Sequence, residues 1–243
     1  MPDLSVQLYS IRDAIAADLP GALARLAAIG VTRVEPFDLL SDPEGLRDAL
    51  AAAGLAAPSV HTPIGADAEL DRVFEAASTV GAQTVIHPYT PPERWESEAG
   101  VDAVADELAR AAGAARPHGL RVGYHNHDWE LASRHGLERL ADRLPPAVVL
   151  ELDAYWAAVG GEDVPALLGR LGDRVRLLHL KDGPIDKDHA AQLPLGSGAM
   201  PVAAIVEAAT AAELAVLEFD DYAGDLFEGL AAGYAFAGRL GLR

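Results

Sequence analysis

The 243 residues contain 37 Asp and Glu against 19 Lys and Arg, a formal net charge of −18, and half of them are hydrophobic. That is enough apolar material for a full core, and the length suits one large domain. The acidic excess, with no basic run, disfavours nucleic acid as a partner, because such binders displace counterions from phosphates with Lys and Arg. With no cysteine, disulfides and thiolate-held zinc are excluded. No apolar run approaches the ~20 residues of a membrane span. The opening MPDLSVQLYSIRD lacks the apolar stretch of a signal peptide. A cytoplasmic protein with no membrane partner is expected.

In chain order, short Val/Ile/Leu-rich runs predict buried parallel strands at about 4–9, 32–36, 57–61, 84–88, 121–126, 147–153, 175–180 and 215–219. Ala/Leu/Glu/Arg segments with helical spacing fall between them, at about 18–29, 43–53, 67–80, 99–117, 134–143, 163–171, 201–212 and 224–240. Gly30, Gly54, Gly81 and Gly119 stand where a helix C-cap takes a left-handed residue. Ser41 or Asp42 ahead of Pro43, and Asp163 ahead of Pro165, read as N-caps.

Eight βα units in series predict a single-domain (β/α)8 barrel over residues 1–243. An open doubly wound sheet is the competing architecture, but no dinucleotide fingerprint marks a switch point. The longest irregular stretches, about 88–98 and 181–200, follow strands four and seven, as active-face loops do in a barrel.

Polar residues gather at the predicted strand ends: Glu35, His61, His87, His125 to Glu130 (HNHDWE), Glu151 and Asp153, His179 to Asp182, and Glu218 to Asp221. A barrel brings these ends to one funnel. Any one of them could simply end a soluble strand. Recurrence of His, Asp and Glu at adjacent ends points instead to a cation, and carboxylate with imidazole suits Mn, Mg, Co or Zn. His125 and His127 share one face of an extended strand. Gly196-Ser197-Gly198 either offers N–H groups to an anion or is a plain turn. The Tyr89 and Trp95 stretch is either an aromatic lid or a packed loop.

The segments QLYSIRD (7–13), GYHNHDWEL (123–131), LDAYWAAVGG (152–161), LLHLKD (177–182), PLGSGAM (194–200) and LEFD (217–220) resemble the sugar phosphate isomerase/epimerase family, a group with the xylose-isomerase-like TIM barrel. The chain looks closer to its HNH-type branch than to the ketose epimerases, which carry Glu where this chain has His125. The resemblance implies a divalent metal held by an acid near strand five, Asp153, His179 and Glu218. Glu130 is the first choice for the acid, with His127 and His125 behind it.

It further implies an isomerase or epimerase acting on a sugar, keto-sugar or cyclitol through a metal-stabilised enediolate. Glu218, Glu130, His127 or Lys181 would serve the proton transfer, and Glu35, His61, His125 and Lys181 would contact substrate. A dehydratase of the inosose dehydratase type shares the first step, and a non-catalytic ligand-binding barrel is the other alternative. An endonuclease IV-like role conflicts with the net charge. The substrate is read as unphosphorylated, since no Arg cluster is present. A homo-oligomer is compatible with the chain.

Overall fold

The computed structural model describes residues 1–132 and 136–243. Eight parallel strands form the barrel: β1 (Asp3–Gln7), β2 (Val34–Glu35), β3 (Ser59–His61), β4 (Thr84–His87), β5 (Arg121–His125), β6 (Val148–Asp153), β7 (Val175–Leu180) and β8 (Leu214–Leu217). Their order is β2-β1-β8-β7-β6-β5-β4-β3. The seam between β2 and β3 is bridged by the backbone, from Val34 N to Ala56 O (2.8 Å), Ala56 N to Thr32 O (3.0 Å) and His61 N to Pro36 O (2.8 Å). The competing open sheet is thereby excluded.

The expected helices appear at Leu19–Ile29, Pro43–Ala53, Leu70–Val80, Glu98–Ala115, Gly136–Arg143, Val164–Leu171, Val202–Ala208 and Leu226–Arg239. The first two residues expected in the fifth, 134 and 135, lie outside the described residues. Asp42, rather than Ser41, caps its helix by accepting from Gly45 N at 2.9 Å. Asp163 accepts from Ala166 N at 3.1 Å. Gly30, Gly54, Gly81 and Gly119 all have positive φ. Short helices at Arg12–Ala17, Trp129–Ala132 and Ala154–Val159 decorate the C-terminal face; they are too brief to show a hydrophobic period. No helix of the described residues is long and apolar enough to cross a membrane.

The core has two parts. The larger lies between strands and helices. The smaller, Ile86, Val149, Leu177, Leu214 and Val216, is separate from it. These side chains begin the inward-facing series on their strands, and alternation then sets the residues above them. Val149 is followed inward by Glu151 and Asp153, Leu177 by His179 and Lys181, and Val216 by Glu218. An apolar plug thus closes the lower barrel, and a polar floor rests on it.

Candidate metal centre and catalytic cleft

The polar floor is built from strand ends in register: Asp153 pairs with His179, and His179 with Val216, the residue two before Glu218. Single ligand atoms of His125, Asp153, His179 and Glu218 lie within 4.8 Å of one another, and all four residues are buried. His179 Nδ1 is 2.7 Å from Glu218 Oε2. His125 Nε2 is 3.9 Å from Asp153 Oδ2. Two imidazoles and two carboxylates fit a divalent ion that accepts both nitrogen and oxygen. Asp153 is oriented by its neighbours: Oδ1 accepts from Trp156 N at 2.8 Å, and its own N–H donates to Asn126 Oδ1 at 2.9 Å.

Lys181 stands in the same group. Its ammonium is 2.9 Å from Asp153 Oδ2, 2.8 Å from Glu218 Oε2 and 2.9 Å from Asp220 Oδ2. Asp220 is further held by Gln192 Nε2 at 2.7 Å.

Beneath these groups lie Glu35, His61 and Glu151. Glu35 is fully buried and accepts from Gln7 Nε2 at 2.8 Å and from the Ser59 hydroxyl. It is not among the residues that line the cleft above. His61 Nε2 lies 2.6 Å from Glu151 Oε2 and 3.0 Å from Glu35 Oε1. Glu151 is expected from the sequence only as a polar residue at the end of strand six, with no ligand or substrate role; a Glu inside the otherwise apolar run VVLELD, two residues before Asp153, carries the signal for one.

Electrostatics divide the histidines. Burial lowers the His61 pKa, but Glu35 and Glu151 outweigh it and carry the group up to about 9. His179 behaves likewise: burial opposes charge, while Glu151 and Glu218 hold it well above the usual imidazole range. His125 goes the other way, pushed well below that range by burial and by the neighbouring His179. Burial raises the Glu218 carboxyl, but Lys181 and His179 override it and hold the group far below normal. Asp153 is raised to about 6, burial prevailing over the nearby Lys181. Lys181 is itself held well above the lysine range, the three carboxylates overcoming burial.

Above the floor opens a cleft of about 600 Å³, lined by His61, His125, His127, Tyr89, Glu218 and Asp220 among others. His127 stacks on Trp129, with ring centroids 4.4 Å apart and planes 6° from parallel. Tyr89 meets both edge-on. Tyr89 is exposed, whereas Trp95 is buried against Tyr124; the two do not form one lid. Burial and Lys181 lower the His127 pKa to about 4, so the ring is neutral near pH 7.

Glu130 stands apart from the Asp153–His179–Glu218 group. It accepts from the Tyr124 hydroxyl at 2.6 Å and from His127 N at 2.9 Å, and burial raises its pKa to about 8. The strand-five residue in the group is His125.

The Gly196-Ser197-Gly198 turn does surround an anion, but one supplied by the chain. The Asp182 carboxylate accepts from the N–H groups of Gly183 (2.9 Å), Gly196 (2.8 Å), Gly198 (3.0 Å) and Met200 (3.0 Å). Gly196 has φ +88°, and a Cβ on Gly198 would collide with Asp182 and Gly183.

The family model for the xylose isomerase-like TIM barrel matches residues 23–228. No curated protein sequence matches the chain. A sugar phosphate isomerase/epimerase from Parabacteroides distasonis superposes with a TM-score of 0.83 at 24% identity, over 97% of this chain and 93% of that one. The probable 3-DHS dehydratase from Bacillus anthracis gives 0.78 at 14%, over 97% and 98%. The 3-keto-D-glucoside 4-epimerase from E. coli gives 0.74 at 16%, over 98% and 100%. At these identities the likeness carries the fold alone. The family match spans most of the barrel, and the chain belongs to the xylose isomerase-like TIM barrel family.

Proposed function

We propose that this chain is a divalent-metal-dependent isomerase or epimerase that moves a proton beside the carbonyl of a sugar, keto-sugar or cyclitol. The observation that carries this reading is the convergence of His125, Asp153, His179 and Glu218 within 4.8 Å of one another, at the foot of a cleft of about 600 Å³. Asp153, His179 and Glu218 would hold the ion, with His125 as the fourth ligand. A bound ion supplies Lewis acidity towards a substrate carbonyl and its neighbouring hydroxyl.

The remaining chemistry belongs to the side chains. His127, neutral and facing the cleft, takes the proton next to the carbonyl. Lys181 donates hydrogen bonds to oxygen that gains negative charge. Glu218 or Lys181, on the β7–β8 side, assists return of the proton. Return to the other face of the same carbon gives an epimer; return to the adjacent carbon gives an isomer. Glu130 fixes the turn that carries His127. Asp38, Asp220 and Asp221 line the cleft, and Arg12 is engaged by the Tyr9 and Asp220 carbonyls. An acidic mouth without a free Arg cluster favours an unphosphorylated substrate.

Relatives of the fold include both a named epimerase and a probable dehydratase, so one experiment should separate the two outcomes. Metal-loaded protein is incubated in D2O with a panel of keto-sugars and inososes, then followed by NMR and mass spectrometry. Deuterium gained at the carbon beside the carbonyl, with an unchanged skeleton, supports the proposal. Loss of water assigns the dehydratase instead. Binding without exchange returns the chain to a ligand-binding barrel.

A further inference from the structure

The polar floor has two storeys, separated by a pair of imidazoles. His125 turns Nε2 towards Asp153 and Nδ1 towards Glu151 Oε2, at 3.9 and 3.2 Å. His179 turns Nδ1 to Glu218, and Nε2 to Glu35 Oε1 at 2.8 Å and Glu151 Oε2 at 3.2 Å. The upper storey has its own permanent cation, the Lys181 ammonium. The lower storey has none. Glu35 and Glu151 are fully buried, and no Lys or Arg among the described residues pairs with them. Two buried carboxylates without a fixed positive charge require either protonated histidines or a metal.

We infer that the lower storey is a second cation seat, in which Glu35, His61, Glu151 and His179 hold a divalent transition-metal ion. Their donor atoms alternate nitrogen and oxygen around a ring: His61 Nε2 to Glu151 Oε2 is 2.6 Å, Glu151 Oε2 to His179 Nε2 3.2 Å, His179 Nε2 to Glu35 Oε1 2.8 Å, and Glu35 Oε1 to His61 Nε2 3.0 Å. Adjacent ligands around an ion with bonds of about 2.1 Å stand roughly 3 Å apart in octahedral or square geometry, the spacing of these four contacts; ligand atoms of His61, Glu151 and His179, together with one of His125, lie within 4.8 Å of one another, and Glu35 joins them through His61 and His179. The His61 and His179 rings are parallel, 4° apart in plane and 5.0 Å between centroids.

A separate observation points the same way. Glu151 Oε1 is buried without a hydrogen-bond partner, which leaves a second oxygen for a cation. An ion of charge +2 in the lower seat alone replaces one proton on each of two imidazolium rings, releasing both protons and conserving the local charge; with the upper seat filled as well, His179 bridges the two ions through Nδ1 and Nε2 as an imidazolate and releases one further proton. Two imidazoles in the donor set favour Zn²⁺ or Co²⁺ over Mg²⁺. This seat does not rest on the catalytic reading of the upper storey, with which it shares His179.

The test uses full-length protein stripped by a chelator and titrated with Co²⁺, read by visible absorption and by elemental analysis after desalting. The expected result is about two Co per chain in the wild type, about one in His61→Asn and Glu151→Gln, and about one in Glu218→Gln. If His61→Asn and Glu151→Gln do not fold, wild-type crystals soaked in Co²⁺ give an independent answer: an anomalous peak about 2.1 Å from His61 Nε2. One Co in the wild type, unchanged in Glu218→Gln and accompanied by that peak, supports the lower seat while refuting the upper one. A ceiling of one Co that vanishes in Glu218→Gln, with no peak beside His61, overturns the inference.

Discussion

The Lys181 ammonium lies 2.8 Å from Glu218 Oε2, the oxygen that also faces His179 Nδ1 at 2.7 Å. The lysine therefore occupies space that a divalent ion would contest. It neutralises Asp153, Glu218 and Asp220 when no ion is present, and a bound ion would press it towards Asp220 and the substrate. Lys181→Met should have two opposite effects. Metal-free protein should lose about 3–5 kcal/mol, because three buried or half-buried carboxylates face one another without a cation. Affinity for Mn²⁺ should rise, because the competing charge is gone. Thermal melts with and without Mn²⁺, together with calorimetric titration, read both. Weaker Mn²⁺ binding in the variant would show that Lys181 does not compete.

Glu130 gives a pH signature. Its folded pKa of about 8 exceeds the ordinary carboxyl value of 4.5 because burial disfavours the charge. The folded state thus binds more protons than the unfolded state between those values. The associated stability is fully present below the ordinary value and is lost as pH rises through about 8. Glu130→Gln keeps an uncharged side chain at all pH values and should flatten this slope. Urea midpoints near neutrality and at about pH 9 should fall further apart in the wild type than in the variant. Equal slopes would mean that Glu130 is already ionised near neutrality.

Most of the barrel was legible because its signals are local. Buried parallel strands are short continuous apolar runs, and left-handed C-caps call for glycine, so all eight strands and the glycines at 30, 54, 81 and 119 could be placed. A funnel of His, Asp and Glu was legible because strand ends converge in a barrel, whereas the choice of Asp153, His179 and Glu218 within it came from the family resemblance; their ligand atoms, with one of His125, lie within 4.8 Å of one another. The strand-five member was harder. Glu130 has the expected charge but lies in the turn after β5, where Tyr124 and His127 N engage it, while His125 is on the strand and points inward. Glu151 and Glu35 escaped assignment as a buried pair because their partnership runs through His61 and His179 across the barrel. No sequence period reports a contact between strands two and six. The glycine turn at 196–198 showed an anion-binding shape but could not show that residue 182 supplies the anion.

That internal anion makes Asp182 a structural hinge for the loop after β7. Its carboxylate is buried and accepts from four backbone N–H groups. Removing it leaves those donors without their partner in a loop that also carries Gln192, the residue bound to Asp220. Asp182→Ala should cost roughly 3 kcal/mol or more, hydrogen bonds to a charged group being the strong kind. Asp182→Asn should be milder. Hydrogen exchange should show lost protection confined to about 183–200, with the barrel strands unchanged. Uniform loss over the barrel would place Asp182 in the global core instead.

His127 separates proton transfer from metal binding. The ring lines the cleft, stacks on Trp129 and belongs to neither group of metal-competent residues. His127→Gln should therefore leave metal stoichiometry intact and keep the polar character of the position, while removing the base. On a substrate found by the D2O screen, kcat should fall about 10²-fold or more, with a smaller change in KM. Deuterium wash-in at the carbon beside the carbonyl should fall by the same factor, since proton abstraction itself is impaired. An unchanged wash-in rate with a raised KM would make His127 a binding residue and shift the base to Glu218. Loss of metal together with activity would instead place His127 among the ligands, with the fourth position reassigned from His125.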